Sequence, residues 1–319
     1  MAGDDKATWK TALYVALVAV GFIGGVIGLT QLTISADDPG VQWHASLPLL
    51  PGETLRVETV NGVITYETWD GSEVEIEATA RARALTNGQA RRYTEQVQVD
   101  LIRTEGGVEA VARLPQNLAN LNTVTVNFRV RVPEDWRGRV ELRTINGQVT
   151  AANLHGDAEV ETATGPISIR SHSGSLKVIT GNGAINVTDA NTVLDAFTSN
   201  GTIDVSGAVL RGQGFARTLN GTVRIRASLD EEATLQVDTS QGSVSFVLTD
   251  PDVALDLAAN NGTVRLHADV AASLRQPDKL VGSIGAGRAV LHARANNGSI
   301  DLYVTETTAL QPAGASSPN

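Results

Sequence analysis

An Asn-Gly dipeptide, or a close variant, recurs along this chain about every 18 residues, and each one is followed by a short alternating segment. The series runs through Asn61-Gly62, Asn146-Gly147, Thr164-Gly165, Asn182-Gly183, Asn200-Gly201, Asn220-Gly221, Gln241-Gly242, Asn261-Gly262 and Asn297-Gly298. Self-similarity at a fixed period is the mark of a repeat architecture, in which each unit buries its apolar face against its neighbours. Glycines fall every nine residues at 147, 156, 165, 174 and 183, Gly201 follows 18 later, and the steps to 221, 242 and 262 are 20 to 21. The interval from 262 to 298 is double length, with Gly282-Ser283-Ile284 as a degenerate turn inside it.

The second and fourth residues after most of these glycines are apolar, as in Ile167 and Ile169, Ile185 and Val187, Val223 and Ile225, and Ile300 and Leu302. The third is polar: Ser168, Asn186, Arg224, Asp301. Such period-two alternation belongs to strands with one buried face. Two β architectures fit. Asn-Gly is the favoured turn of an antiparallel hairpin. It also suits the corner of a parallel solenoid, where stacked asparagines form amide ladders and glycine takes a positive φ. The 18-residue identity favours an all-β, repetitive parallel β-solenoid of about 18–21 residues per coil. Seven or eight coils would make a rod on the order of 35–40 Å long. The end coils need caps against edge pairing, and residues 41–60 and Ser299 to Val304 are the candidates.

Composition narrows what such a scaffold does. Aromatic residues are only 4 % of the chain, so the core must be Val, Ile, Leu and Ala. The formal net charge of −10 leaves no basic excess to neutralise phosphates, which argues against nucleic acid as a partner. There is no cysteine, which excludes disulfides, thiolate metal sites and cysteine nucleophiles.

Ala12 to Leu32 is an uncharged apolar run of the length a bilayer-spanning helix needs, about 20 residues. Lys6 and Lys10 precede it and Asp37 and Asp38 follow, so the positive-inside rule places the stub 1–11 in the cytoplasm and the rest outside. The expectation is therefore a single-pass cell-membrane protein with its bulk extracytoplasmic. A cleaved signal ending near Ala36 is the rival, though Ile34 is not the small residue such a site prefers; a buried core helix is the third reading. Residues 33–51 read as a linker. Residues 52–139 read as a β region with one short helix from Asn87 to Gln96, capped by Thr86. The solenoid follows over 140–304, and the polar tail 305–319 reads as disordered.

Catalytic patterns are scarce. The five histidines, His44, His155, His172, His267 and His292, show no metal-ligand spacing, and His155 and His172 read as turn residues on a polar face. No nucleophile elbow or Walker loop occurs. The outward column mixes Thr150, Ser168, Asn186, Asp204, Arg224, Ser245 and Arg265, as on an ordinary solvated face. Asp250, Asp252 and Asp256 are the best carboxylate cluster for a polysaccharide lyase or hydrolase, yet Pro251 makes them read as a loop. No catalytic residue, cofactor or metal is assigned, and the turn residues above are read as structural.

With those residues on the page, the chain resembles the bacterial putative-adhesin, YvlB-like domain family over roughly residues 52–304. Three passages carry the likeness: the first strand–Asn-Gly–strand unit with Asp70-Gly71-Ser72-Glu73-Val74-Glu75-Ile76, the strand Arg129-Val130-Arg131-Val132-Pro133, and the train of units beginning Thr144-Ile145-Asn146-Gly147-Gln148-Val149. The resemblance implies an extracytoplasmic solenoid-like module, tethered by one membrane segment and without known catalytic residues. Its expected role is adhesion or envelope-surface binding to a glycan, an envelope protein or another copy. An envelope-stress component acting through a membrane partner is the alternative.

Overall fold

The computed structural model describes residues 31–34, 40–84, 86–114 and 124–306. The stub, the apolar run as far as residue 30 and the tail from residue 307 lie outside the described residues. Among the described residues no helix is long and apolar enough to cross a membrane. The last two residues of the apolar run, Gln31 and Leu32, belong to a strand. The chain forms two compact units, Met1–Ile185 and Asn186–Asn319.

The first unit contains β1 (Gln31–Ile34), β2 (Val41–Leu47), β3 (Thr54–Asn61), β4 (Ile64–Trp69), β5 (Val74–Ala82), α1 (Asn87–Thr94), β6 (Gln98–Thr104), β7 (Gly107–Arg113), β8 (Val124–Pro133), β9 (Arg139–Asn146), β10 (Val149–His155), β11 (Ala158–Thr164) and β12 (Ile167–Asn182). Coil pairs with coil in parallel at a constant offset of 18 residues: Val140↔Ala158, Ala158↔Leu176 and Val149↔Ile167. An antiparallel hairpin meander is thereby excluded for these coils. The Thr86 hydroxyl caps α1 by accepting from the Gln89 amide, where the sequence placed the cap.

Chain order and spatial order part company at the start of this unit. The coil β3–β4 stacks directly on β9–β10, with Asn61 opposite Asn146 and Ile64 opposite Val149. The intervening chain runs outward: β7 pairs with the far side of β3 and β8 with the far side of β4. Antiparallel strands then finish each sheet, β6 on β7, and β5, β2 and β1 successively from β8. Residues 41–60 are therefore not a simple cap, because β3 is internal and the edges are β1 and β6. Nor are residues 33–51 only a linker, since Val41, Ala45 and Leu47 of β2 are buried.

The second unit holds β13 (Ile185–Asn200, all but its first residue), β14 (Ile203–Leu210), β15 (Gln213–Asn220), β16 (Val223–Leu229), β17 (Thr234–Gln241), β18 (Val244–Thr249), β19 (Val253–Ala259), β20 (Val264–His267), β21 (Ala271–Arg275), β22 (Lys279–Ile284), β23 (Ala289–Asn297) and β24 (Ile300–Thr305). One sheet runs β13, β15, β17, β23, β19, β22, β21, and the other β14, β16, β18, β24, β20. The last coil in the chain, β23–β24, is thus inserted between β17–β18 and β19–β20. Ser299 to Val304 does not cap the end, because β20 covers β24. Gly282-Ser283-Ile284 is not a turn. It lies in β22, which runs antiparallel to β19, and a side chain at Gly282 would press on the β21 backbone at Ala271 and Ala272.

The core is what an aromatic-poor chain can supply: Val, Ile, Leu and Ala, with Phe128 and Phe246 the largest fully buried side chains. Each fully buried Val, Leu or Ile contributes about 1.5–3 kcal/mol. One irregularity is itself periodic. Asn153 and Ser171 in the first unit take positive φ values of 57° and 56°, as do Asp189 and Gly207 in the second at 55° and 63°. Each such residue interrupts the alternation by one, so that Leu154, His172, Ala190 and Ala208 point inward where strict alternation would point them out.

Candidate functional site

The Asn-Gly positions are where coil meets coil most closely. The amide of Gly62 donates to the carbonyl of Asn146, Gly147 to Thr164, and Gly165 to Asn182. In the second unit Gly201 donates to Asn220, Gly221 to Gln241, and Gly242 to Asn297. A Cβ at Gly147 would overlap the carbonyl oxygen of Gly62, and one at Gly298 that of Gly242. At these two positions the contact, and not a left-handed φ, requires the glycine. A Cβ at Gly183 would likewise meet Gly165, and one at Gly262 would meet Gly298. The asparagines pair by side chain at 2.8 Å: Asn146 with Asn61, Asn220 with Asn200, and Asn261 with Asn297. These groups bond to one another and hold the corner.

A second ladder lies beneath the first. Before five of the corner glycines the residue three positions earlier is a buried threonine whose hydroxyl donates to the corner carbonyl of the adjacent coil. Thr144 reaches Gly62 at 3.2 Å, Thr162 Gly147 at 3.0 Å, and Thr180 Gly165 at 3.0 Å. In the second unit Thr218 reaches Gly201 and Thr239 reaches Gly221, each at 3.1 Å. The signal for this was present in the repeated Thr-x-Asn-Gly pattern, but its inward position emerges only once the strand faces are known.

Many charged side chains on the outer faces are paired, though Arg224 and Asp195 make no ion pair among the described residues. In the first unit Glu141 accepts from Arg56 at 2.8 Å and Arg139 at 2.9 Å, while Glu159 contacts Arg139, Arg143 and Lys177. Burial pushes both carboxyls up, and the surrounding cations outweigh it and hold them below the usual range. The outward column read from the sequence is re-ordered by the inserted coil. Asp301 stands between Ser245 and Arg265, and Arg265 pairs with it at 3.4 Å.

The three aspartates do not form a catalytic set. Asp250 sits in a turn with φ 45°. Asp252 accepts from the Arg288 guanidinium at 2.5 Å and the Gly287 amide at 2.6 Å. Asp256 is in β19, not in a loop, and bonds Arg294 at 2.6 Å with His292 at 3.5 Å. Hydrogen bonds from Arg288 and Arg294 hold the carboxyls of Asp252 and Asp256 respectively below the usual carboxylate range, so each is the wrong kind of group to deliver a proton at neutral pH. Among the described residues no three His, Asp or Glu side chains are grouped to hold a metal ion.

His155 and His172 occupy neighbouring coils but different environments. His155 contacts Ser173 at 3.0 Å on the surface. His172 is not a turn residue on a polar face. It is 2 % exposed, opposite Leu154, because the positive φ of Ser171 turns it inward. Burial lowers its pKa to about 4. A cavity of about 570 Å³ in the first unit is lined by Trp69, Trp136, Asp70, Glu134, Asp135 and Arg137 among others. Its indoles are committed to packing. Arg131 lies 5.0 Å over Trp69, the Gly71 backbone lies against the same ring, and Gly138 lies against Trp136.

Residues 136–250 match the family model described as Toastrack DUF4097. Among solved structures it is similar to a putative adhesin from Bacteroides fragilis, with 8 % identity, 82 % of this chain and 96 % of that chain covered, and a TM-score of 0.48. It is also similar to a putative cell adhesion protein from Clostridium sporogenes, at 10 % identity, 82 % and 99 % coverage and a TM-score of 0.29. A putative adhesin from Parabacteroides distasonis gives 6 %, 82 %, 96 % and 0.42. A comparison with curated proteins finds no match.

Proposed function

We propose that this protein is a non-catalytic surface-binding module, anchored through the apolar run that begins at Ala12 and ends before β1, with its β units outside the cell membrane. The observation that carries this reading is the fate of the carboxylates. Asp252, Asp256, Glu141 and Glu159, the acids a glycan-cleaving site would draw on, are each engaged by arginine or lysine and kept ionised. What the coils offer is broad sheet faces on which many charges are paired, and such surfaces bind without reacting. The family likeness over residues 136–250 supports the same reading. Because the chain has no cysteine, a single Ser72→Cys substitution gives a clean topology probe. An external position predicts labelling of intact cells by a membrane-impermeant maleimide, and labelling only after lysis overturns it. The binding role predicts that the full-length protein retains envelope material in a pull-down; hydrolysis or elimination products from a polysaccharide panel, lost on Asp256→Ala, would replace it with an enzymatic one.

A further inference from the structure

We infer that Asn261 is a site of spontaneous covalent modification. The Asn261-Gly262 corner closes to a succinimide and reopens as aspartate or isoaspartate, whereas the corners at Asn61, Asn146, Asn200 and Asn220 are held unreactive. This goes beyond the surface-binding reading and does not depend on it. The Gly262 nitrogen attacks the side-chain carbonyl carbon Cγ of Asn261. The N–Cγ bond forms, the Cγ–Nδ2 bond breaks, and ammonia leaves carrying the proton lost by the glycine amide. Water then opens the ring, to aspartate when it adds at the side-chain carbonyl and to isoaspartate when it adds at the backbone carbonyl. Glycine after the asparagine leaves the attack unhindered, because it has no Cβ.

The attacking nitrogen is the group that the corner ladder otherwise occupies. Gly62 donates its amide to Asn146, Gly147 to Thr164, Gly201 to Asn220 and Gly221 to Gln241, at 2.9, 2.9, 3.0 and 2.8 Å. An amide so engaged must be pulled from the adjacent coil before it can turn towards its own side chain. At Gly262 the ladder ends. Among the described residues β20 pairs with β24 alone, so no further coil supplies a corner carbonyl. Neither the Gly262 amide nor the Asn261 carbonyl has a hydrogen-bond partner among the described residues, and the peptide between them is unfastened on both sides. Its flanks are held: the Asn261 amide donates to Asn296 at 2.9 Å and the Val264 amide to Pro277 at 2.8 Å. The corner keeps its place while its central peptide is free to turn.

Exposure does not make the choice, since Asn146, Asn200 and Asn220 are exposed as Asn261 is. Asn297-Gly298 comes nearest to it. The Gly298 amide also has no partner among the described residues, but the Asn297 carbonyl accepts from the Gly242 amide at 3.0 Å and fixes that peptide. The modification has a structural consequence. Asn261 Nδ2 donates to Asn297 Oδ1 at 2.8 Å. An aspartate puts a carboxylate oxygen in its place, acceptor against acceptor. Of the amide pairs that fasten the last coil, Asn260 with Asn296 and Asn261 with Asn297, the second is thereby unlocked. Isoaspartate also lengthens the backbone where Gly262 lies against the Gly298 carbonyl with no room for a Cβ.

The test is peptide mapping by mass spectrometry of the full-length protein in detergent micelles, held in mildly alkaline buffer. Each site is read by the mass gained when NH2 is exchanged for OH. Asn261 is expected to convert at least about tenfold faster than Asn61, Asn146, Asn200 and Asn220, an advantage equal to about 1.4 kcal/mol of barrier. In urea, where no corner is folded, the rates should converge. If Asn261 leads by as much in urea, local sequence sets the rate and the proposal falls. It falls too if Asn261 in the folded protein converts no faster than Asn146 or Asn220. Asn261→Asp stands for the product and should speed hydrogen exchange of the β20 amides while leaving those of β16 unchanged. Unaltered exchange in β20 would overturn the unlocking of the last coil.

Discussion

The regular coils of the first unit and the last coils of the second solve the same corner differently. From β9 to β12 chain order and stacking order agree, one asparagine or threonine stands at each corner, and a buried threonine hydroxyl ties each corner to its neighbour. In β19–β20 and β23–β24 the order is inverted. The threonine is replaced by Ala259 and Ala295, and the asparagine is doubled, with Asn260 bonded to Asn296 and Asn261 to Asn297. The difference teaches that the close glycine contact is the invariant of the corner. The polar lock can be buried as a hydroxyl or displayed as paired amides.

The glycine contact gives the largest expected effect and the sharpest test of that statement. Gly147→Ala and Gly298→Ala each push a methyl group into a backbone carbonyl of the adjacent coil, and backbone cannot rotate away. Each should cost more than about 3 kcal/mol, beyond the usual range for overpacking. Denaturant titration of both variants measures it. If Gly298→Ala proves mild while Gly147→Ala does not, the inserted coil is held more loosely than the regular ones and the invariant is broken.

His172 tests the regular coils from within, since it holds the position that Leu154 fills one coil earlier. Its pKa is about 4 when folded against an ordinary value of 6.5. Between those values the unfolded chain binds more protons, so stability is full above about pH 6.5 and falls as pH drops towards 4, by about 3 kcal/mol in all. His172→Leu should remove that part of the slope. Stability curves from pH 7 to pH 4 that stay parallel for the two proteins would mean that the imidazole finds a partner on protonation.

Much of this was legible in the sequence. The 18-residue period fixed the coil, and the Thr86 cap, the alternation of β5 and the corner glycines read directly from local pattern. What was hidden is non-local. No spacing near Gly262 says that β23–β24 will slip between β17–β18 and β19–β20, because the inserted coil has the same amide–glycine corner and alternating strand as the coils it separates. The inward His172 was hidden by one residue, Ser171, whose left-handed backbone inverts the alternation and which, unlike a glycine, announces nothing.

The two kinds of polar lock should differ in worth, and the difference is measurable. Thr162→Val keeps the shape of a buried side chain but leaves the Gly147 carbonyl without the hydroxyl, 3.0 Å away, that now serves it. Stranding a buried acceptor costs about 1–3 kcal/mol, and the lower half of that range is expected because a methyl group replaces the hydroxyl. Asn297→Ala removes an exposed amide pair, where water replaces the lost partner, and should cost about 0.5–1 kcal/mol. Equal losses in the two variants would show that burial does not set the strength of these locks. A larger loss in Asn297→Ala would make the doubled amides the principal fastening of the inserted coil, and the absence of threonine at Ala259 and Ala295 would then be a substitution of one lock by a stronger one.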